Sequence, residues 1–369
     1  MAHAWADGGR PGPTTRSRTI GTSGPAGGGP AGAAWRRPGH RFVGRPAVQP
    51  ITDALARAAA TAGYAPSIHN SQPWHWRVHD EVLDLYADHS RRLGITDPDG
   101  RLAVLSCGAA LHHARTALSA QGWDARVIRL PEAAEADHLA TITTAGRIPV
   151  TARALRRVQT IEIRHTDRRP VTATPVDGDR LSAVMAAVER EGARLHVVPA
   201  GRIVELASAV SFAQRTEAAE EAWRAELAYW TGGTRPTGTG VPDAAIPDRP
   251  TQTTVASRDF GHAGALPVSA EHDTGATFAI LYGEQDCATG WLRAGEALSD
   301  AWLTATELGL SVLPLSAATE VPATRLALRR LLADLGEPYL VLRLGVADPD
   351  HAGAPHTPRL RADQTIERP

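Results

Sequence analysis

The sequence predicts a mixed fold of helices and strands, arranged as two similar halves within one chain. Three observations predict it. Segments with helical periodicity alternate with short apolar and β-branched runs from about residue 50 onward. A gapless repeat joins two of the helices at an offset of 187 residues. No apolar run approaches the ~20 residues that would span a bilayer.

Residues 1–47 are expected to be a disordered leader. The first forty residues hold ten Gly and five Pro with almost no aliphatic side chains, too little apolar surface to offset the entropy of ordering. Seven Arg against one Asp over residues 1–47 leave a nucleic-acid tail as an open alternative to a plain solvated leader.

Folded sequence begins near Pro50. Residues 51–63 read as a helix with Ile51, Leu55, Ala58 and Ala59 on one face. Pro66 and Pro73 then impose a turn-rich loop over 65–73. Residues 74–78 and 82–86 read as paired strands. Residues 102–121 form an apolar helix stopped by Gly122, and 126–130 another strand. Residues 151–163 are helical and 164–170 form a polar loop. The second half repeats the rhythm: helix 179–191, strand 195–198, helix 201–230, strand 277–282, helix 289–308 stopped by Gly309, and strand 339–344. Between them, 231–275 is rich in Gly, Pro and Thr, a length expected of a lid or an inserted segment. The halves are placed at 48–160 and 161–369.

The repeat aligns GAALHHARTALSAQGW from Gly108 with GEALSDAWLTATELGL from Gly295. Gly108 matches Gly295, and Gly122 matches Gly309. Under a duplication, the two small-residue helices pack together and the chain mimics a two-fold dimer. Two unrelated Ala-rich helices ending in Gly are the alternative.

Composition narrows the chemistry. The net charge is -1 and the pI about 7.0, so no strong field favours nucleic acid or acidic lipid. All 39 basic residues are arginine. Chemistry needing a lysine amine is thereby excluded, including a Schiff base or a P-loop. The two cysteines, Cys107 and Cys287, do not suggest a disulfide framework. A cytoplasmic location is expected.

Three motifs carry candidate chemistry. Pro66-Ser67-Ile68-His69-Asn70-Ser71-Gln72-Pro73 presents uncharged donors and acceptors suited to the edge of a polar heterocycle. It reads equally as a structural loop. Arg164-His165-Thr166-Asp167-Arg168-Arg169 could hold a phosphate through charge-assisted hydrogen bonds, or form a solvated turn in which Asp167 pairs locally. Thr357-Pro358-Arg359 hints at a positioned cation. His69, His75, His79, His112 and His113 make no metal spacing in a clear fold context. Asp97-Pro-Asp99-Gly100 lacks the remaining ligands of a calcium loop. Cys107 reads as a small buried residue. Trp74, Trp223 and Trp230 are candidates for a pocket wall.

Together these motifs resemble the nitroreductase superfamily, and more closely its Acg-like branch of FMN-binding proteins. PSIHNSQPW, CGAALHHARTAL, RHTDRR, GEALSDAWLTATELGLSVLPLS and the closing TPR match in order and spacing over residues 50–361. The resemblance implies an α+β, nitroreductase-like fold, with two pseudo-symmetric halves in one chain replacing a homodimer. It implies one FMN between the halves. Arg164, Thr166 (where the superfamily has Ser), Arg168 and Arg359 would hold the phosphate. Pro66, Ser67, Asn70 and Gln72 would hold the ribityl chain and ring. Pro314, Leu315 and Ser316 would pass the reactive face. Arg168 is a candidate to stabilise charge on the ring edge.

A second site is expected to be degraded. Arg41-Phe-Val-Gly-Arg45 has Val43 in place of a hydroxyl, and no second Pro-Ser-x-x-Asn loop occurs at 190–235. The implied activity is hydride transfer from NAD(P)H to a nitroaromatic, quinone or ene-type acceptor, with no acid–base dyad required. The alternatives are a non-catalytic, FMN-sequestering protein with a lidded site, and a peptide-modifying dehydrogenase. Neither a membrane nor nucleic acid is an expected partner, and a fused chain can act as a monomer.

Overall fold

The computed structural model describes residues 51–231, 237–270, 272–349 and 356–368, all within a compact unit spanning Gln49–Pro369. The expected leader and the Arg41–Arg45 segment lie outside the described residues.

Helix α1 (Ile51–Ala62) buries Leu55, Ala58, Ala59 and Ala62 along one face, as its periodicity requires. Strands β1 (Trp74–His79) and β2 (Val82–Ala87) form a hairpin in which Trp74, Trp76 and Val78 alternate inward. Helix α2 (Arg101–Ala120) follows, then β3 (Trp123–Arg129) and β4 (His138–Arg147). Helix α3 (Ala152–Ile163) starts where the Thr151 side chain accepts a hydrogen bond from Ala154 N. Helix α4 (Gly178–Arg190) is capped in the same way by Asp177.

Strand β5 (Arg194–Val197) leads into α5 (Ile203–Ala219) and α6 (Glu221–Thr231). The single helix expected over 201–230 is two. Glu220 adopts an extended conformation between them, and the axis turns there. After the 237–275 insert come β6 (Thr277–Gly283), α7 (Ala288–Glu307), β7 (Leu310–Leu315), α8 (Ala317–Glu320), α9 (Pro322–Leu331), β8 (Glu337–Val346) and β9 (Ile366–Glu367).

Two sheets result, with strand orders β3-β4-β2-β1-β9 and β5-β6-β8-β7. Read from the first hairpin, β1-β2-β4-β3 and β5-β6-β8-β7 are the same antiparallel topology. The repeat-matched glycines do the same work in each. Gly122 and Gly309 end α2 and α7 at φ 78° and 72°, a conformation glycine adopts without a Cβ penalty. Each then accepts a hydrogen bond from the far end of a neighbouring strand, Ile148 N onto Gly122 O and Ala347 N onto Gly309 O. Strand β4, which the sequence reading passed over, is rich in threonine and only half buried. Pairing on both sides, rather than its own alternation, makes it a strand.

Helices α2 and α7 pack against each other between the sheets. A Cβ on Gly108 would stand 2.0 Å from Leu292 O, and one on Gly295 would stand 1.9 Å from Leu105 O. Backbone therefore meets backbone at the pair of glycines that the repeat aligns. The C-terminal segment crosses to the other sheet, where β9 joins β1 in parallel and Trp76 N donates to Thr365 O at 2.8 Å. This crossing carries Arg359 past the 65–73 loop. Among the described residues, no helix is long and apolar enough to cross a membrane.

Candidate functional site

The 65–73 loop is held in a strained form. His69, Asn70 and Gln72 have φ of 44°, 55° and 53°. Each non-glycine residue in this region costs about 1–3 kcal/mol and persists only where surroundings over-determine it. Here they do. Gln72 N donates to Ser67 Oγ at 3.0 Å, and Ile68 N donates to Ser106 Oγ of α2 at 3.2 Å.

One cavity of about 1210 Å³, counted with the solvent entering it, lies beside this loop. It brings together Pro66, Ser67, Asn70, Arg164, Thr166, Arg168, Pro314, Leu315, Ser316 and Arg359, residues spread over almost 300 positions. Leu102 and Leu105 of α2, Leu298 and Trp302 of α7, and Leu313 supply an apolar wall. Among the described residues, no carboxylate lines it.

The electrostatics of this cavity are one-sided. Arg164 is buried at 3% exposure, lies 4.6 Å from the centre of the Trp302 ring, and donates through Nη2 to Tyr64 O at 3.2 Å. Among the described residues, its Nε and Nη1 have no hydrogen-bond partner, nor does Arg359 Nε. Arg359 Nη2 donates to the same Tyr64 carbonyl at 3.2 Å, so the two guanidinium groups are neighbours. Burial, with the Arg359 charge adding, lowers the Arg164 pKa to about 9. Burial lowers Arg359 to about 10. Both stay charged near neutrality. Buried cations with unmade hydrogen bonds are costly unless an anion completes them.

The remaining arginines divide. Arg168 lines the cavity, donates to Ala245 O at 3.0 Å, and sits 5.3 Å from the Phe260 ring centre. Burial lowers its pKa to about 10. Arg169 instead pairs with Asp167 at 2.8 Å. Arg343, itself paired with Asp273 at 2.9 Å, donates to the carbonyls of Asp167 and Arg169. The local pairing open at Asp167 is therefore real, and it fixes the loop that presents Arg164 and Arg168.

Asn70 and Gln72 knot three segments together. Asn70 Nδ2 donates to Gly240 O at 3.0 Å and Pro358 O at 2.9 Å, while its Oδ1 accepts from Arg359 Nη1 at 2.7 Å. Gln72 Nε2 donates to Gly238 O at 2.7 Å, and its Oε1 accepts from Leu360 N at 3.0 Å. Gln72 is the one sequence-derived site residue that does not line the cavity. The insert supplies Val241, Ala256, Ser257, Arg258 and Phe260 to the wall, and Val241, Ala245, Ile246 and Phe260 form a small apolar core of its own.

Several lining residues escaped the sequence reading. Trp302, rather than Trp74, Trp223 or Trp230, lines this cavity; Trp74 is wholly buried in the first core, and Trp223 lines a second cavity. Thr357 accepts from Arg359 Nη1 at 2.5 Å and was legible only as part of the tail motif. Arg258 sits in the insert without a motif around it. His69 lines the cavity, with burial, then Arg258, lowering its pKa to about 3. Among the described residues, His112, Glu191 and Asp300 form the one cluster with metal-like spacing. Arg115 pairs with Glu191, and Arg157 and Arg190 pair with Asp300, so arginine already neutralises it.

The fold is an α+β arrangement of two matched sheets, with an arginine-lined cavity beside the 65–73 loop. Comparison with known proteins gives the family. The chain is 35% identical over 323 residues to the Mycobacterium tuberculosis protein named "Putative NAD(P)H nitroreductase Rv3131", covering 87% of this chain and 93% of that one. It is 33% identical over 324 residues to "Putative NAD(P)H nitroreductase acg" of the same organism, covering 85% and 96%. The chain belongs to this NAD(P)H nitroreductase family. Among solved structures, it resembles a nitroreductase with bound FMN from Bacteroides fragilis at 16% identity and TM-score 0.35, covering 57% of this chain and 97% of that chain. No protein-family model matches the chain.

Proposed function

We propose that the protein binds one FMN in this cavity and passes hydride from NAD(P)H to a nitroaromatic, quinone or ene-type acceptor. The observation that carries the reading is Arg164, buried beside Ser67 with Nε and Nη1 unaccepted among the described residues, next to a half-buried Arg359 whose Nε is likewise unaccepted. A phosphate monoester fits that donor set, because it offers several strong acceptors to planar guanidinium forks. The apolar wall of Leu105, Leu298, Trp302 and Leu313 fits a flat ring, as small-molecule sites are lined mostly by apolar side chains with a few polar groups.

When bound, FMN supplies the two-electron chemistry, and the protein binds, orients and tunes it. Arg164, Arg359 and Thr166 hold the phosphate. Ser67 and the backbone of the 66–70 loop meet the ribityl chain. Pro314, Leu315 and Ser316 would face the ring, and Arg168 would supply positive charge to stabilise negative charge there. Asn70 and Gln72 act here by fixing Arg359 and the insert. The shared strand order of the two sheets supports a duplication, and a single set of cavity arginines among the described residues supports one flavin per chain.

The insert favours a second reading, FMN sequestration. Its backbone is tied to Asn70 and Gln72, and it forms part of the cavity wall, so it restricts room for a second substrate. Stopped-flow mixing of flavin-loaded protein with NADH and NADPH separates the two. Rapid bleaching of the flavin band supports the enzyme; no bleaching, with normal reduction by dithionite, supports storage.

A further inference from the structure

A second cavity of about 950 Å³ abuts the first, and Gln214 and Arg258 line both. Exposed Arg215, Arg224 and Asp259 line it too, so it opens to solvent. Between the cavities stand two buried carboxyl groups, Glu217 of α5 and Glu320 of α8, held by Arg258. Arg258 Nη1 donates to Glu217 Oε2 at 2.8 Å, and Nη2 donates to Glu320 Oε1. Glu217 Oε1 and Glu320 Oε2 are buried with no partner among the described residues, and both side chains converge on the one Arg258 guanidinium. Ser316, whose Oγ accepts from Arg258 Nη2 at 3.3 Å, shares that nitrogen with Glu320 and lines the first cavity.

We infer that Glu217 and Glu320 share one exchangeable proton and, with Ser316, form a relay that carries protons from the second cavity to the acceptor in the flavin cavity. The charge count supports it. One arginine against two carboxylates leaves one buried negative charge uncompensated, and a proton between the carboxyls removes it. The orphaned oxygens are then donor and acceptor of one hydrogen bond. Burial raises Glu217 to about 8, with Arg258 opposing and Glu320 adding. Burial also opposes ionisation of Glu320, but Arg258, then His69 and the Ser316 hydroxyl, hold it below its usual value. Facing the pair are Arg258 from the insert, His69 from the 65–73 loop and Asp97 from the turn before α2, with Arg224 and Asp259 around the second cavity.

The inference rests on the function proposed above, because a quinone or ene-type acceptor takes up one hydride and one proton. The hydride originates in NAD(P)H, which leaves as NAD(P)+. The shared proton passes from Glu217 through Glu320 to Ser316 Oγ as the Ser316 hydroxyl proton moves to the reduced acceptor. Glu217 is then reloaded from solvent.

Two measurements test it. In flavin-free protein with 13C-labelled glutamate carboxyls, NMR should show one carboxyl titrating near pH 8. That signal should vanish in Glu217→Gln and move toward the ordinary glutamate range in Glu320→Gln. In flavin-loaded protein, Glu217→Gln should slow acceptor reduction about 10-fold more than it slows bleaching by NAD(P)H, with a solvent deuterium effect on acceptor reduction in the parent protein. A parent protein with no carboxyl titrating above the ordinary range overturns the shared proton. Equal slowing of both half-reactions overturns the relay while leaving flavin binding intact. Protein that takes up no flavin overturns the proposed function, and the relay with it, whatever the carboxyls do.

Discussion

Arg359 Nη1 donates to Asn70 Oδ1 at 2.7 Å, joining residues 289 positions apart. The same amide holds Gly240 and Pro358 through Nδ2. Asn70 is therefore the point where loop, tail and insert meet. Replacing Asn70 with Ala removes three hydrogen bonds, each worth about 0.5–1.5 kcal/mol, more where the partner is charged. The expected result is a loss of about 2–4 kcal/mol in stability, read by urea unfolding. Faster proteolytic cutting within the insert should accompany it.

Arg164 gives an opposite stability signature. Its orphaned, buried charge costs the flavin-free protein free energy. Arg164→Met should leave the thermal midpoint of flavin-free protein unchanged or higher. The same change should weaken FMN binding by about 10- to 100-fold, the worth of charge-assisted hydrogen bonds. A large fall in the flavin-free midpoint would show that Arg164 is a structural support.

The glycine contact between α2 and α7 predicts sharp intolerance. Gly108→Ala and Gly295→Ala each drive a methyl group to about 2 Å from a carbonyl oxygen on rigid backbone. Overpacking of this kind costs about 1–3 kcal/mol or more. Ala-for-Gly inside a helix would otherwise stabilise by propensity, so a midpoint that rises would contradict the packing described.

Stability should also turn with pH. Glu217 has a pKa raised to about 8 from 4.5. Its contribution is fully present below 4.5 and is lost as pH rises to about 8, because the folded state retains a proton that the unfolded state releases. Buried His69, His112 and His113 have lowered values. Their contribution is present above 6.5 and lost as pH falls. Between about pH 6.5 and 8 the Glu217 effect stands alone among these four groups, so urea midpoints should fall with rising pH. In Glu217→Gln that decline should flatten.

The cavity-lining residues were legible where chemistry is local. PSIHNSQP concentrates turn residues, RHTDRR and TPR concentrate arginine, and the structure gathers all three at one cavity. The repeat was legible because Gly108, Gly122, Gly295 and Gly309 each meet a backbone requirement that other residues meet poorly. Contacts made across long separations were not legible. Glu217, Arg258 and Glu320 sit on three elements, 41 and 62 residues apart, and each looks like an ordinary surface charge in its own segment. Likewise, nothing near Asn70 or Gln72 shows that their amides bind Gly240 and Gly238. The break at Glu220 and the strand β4 arise from tertiary packing that overrides a continuous helical pattern in one case and weak alternation in the other.

Titration of flavin-free protein with FMN and with riboflavin tests the central claim most directly. Phosphate held by Arg164 and Arg359 predicts one FMN per chain. It also predicts riboflavin, which lacks the phosphate, binding weaker by about 100-fold or more, with that gap collapsing in an Arg164→Met, Arg359→Met double variant. Equal affinity for the two flavins, two tightly bound FMN per chain, or protein that stays colourless with excess FMN would contradict it.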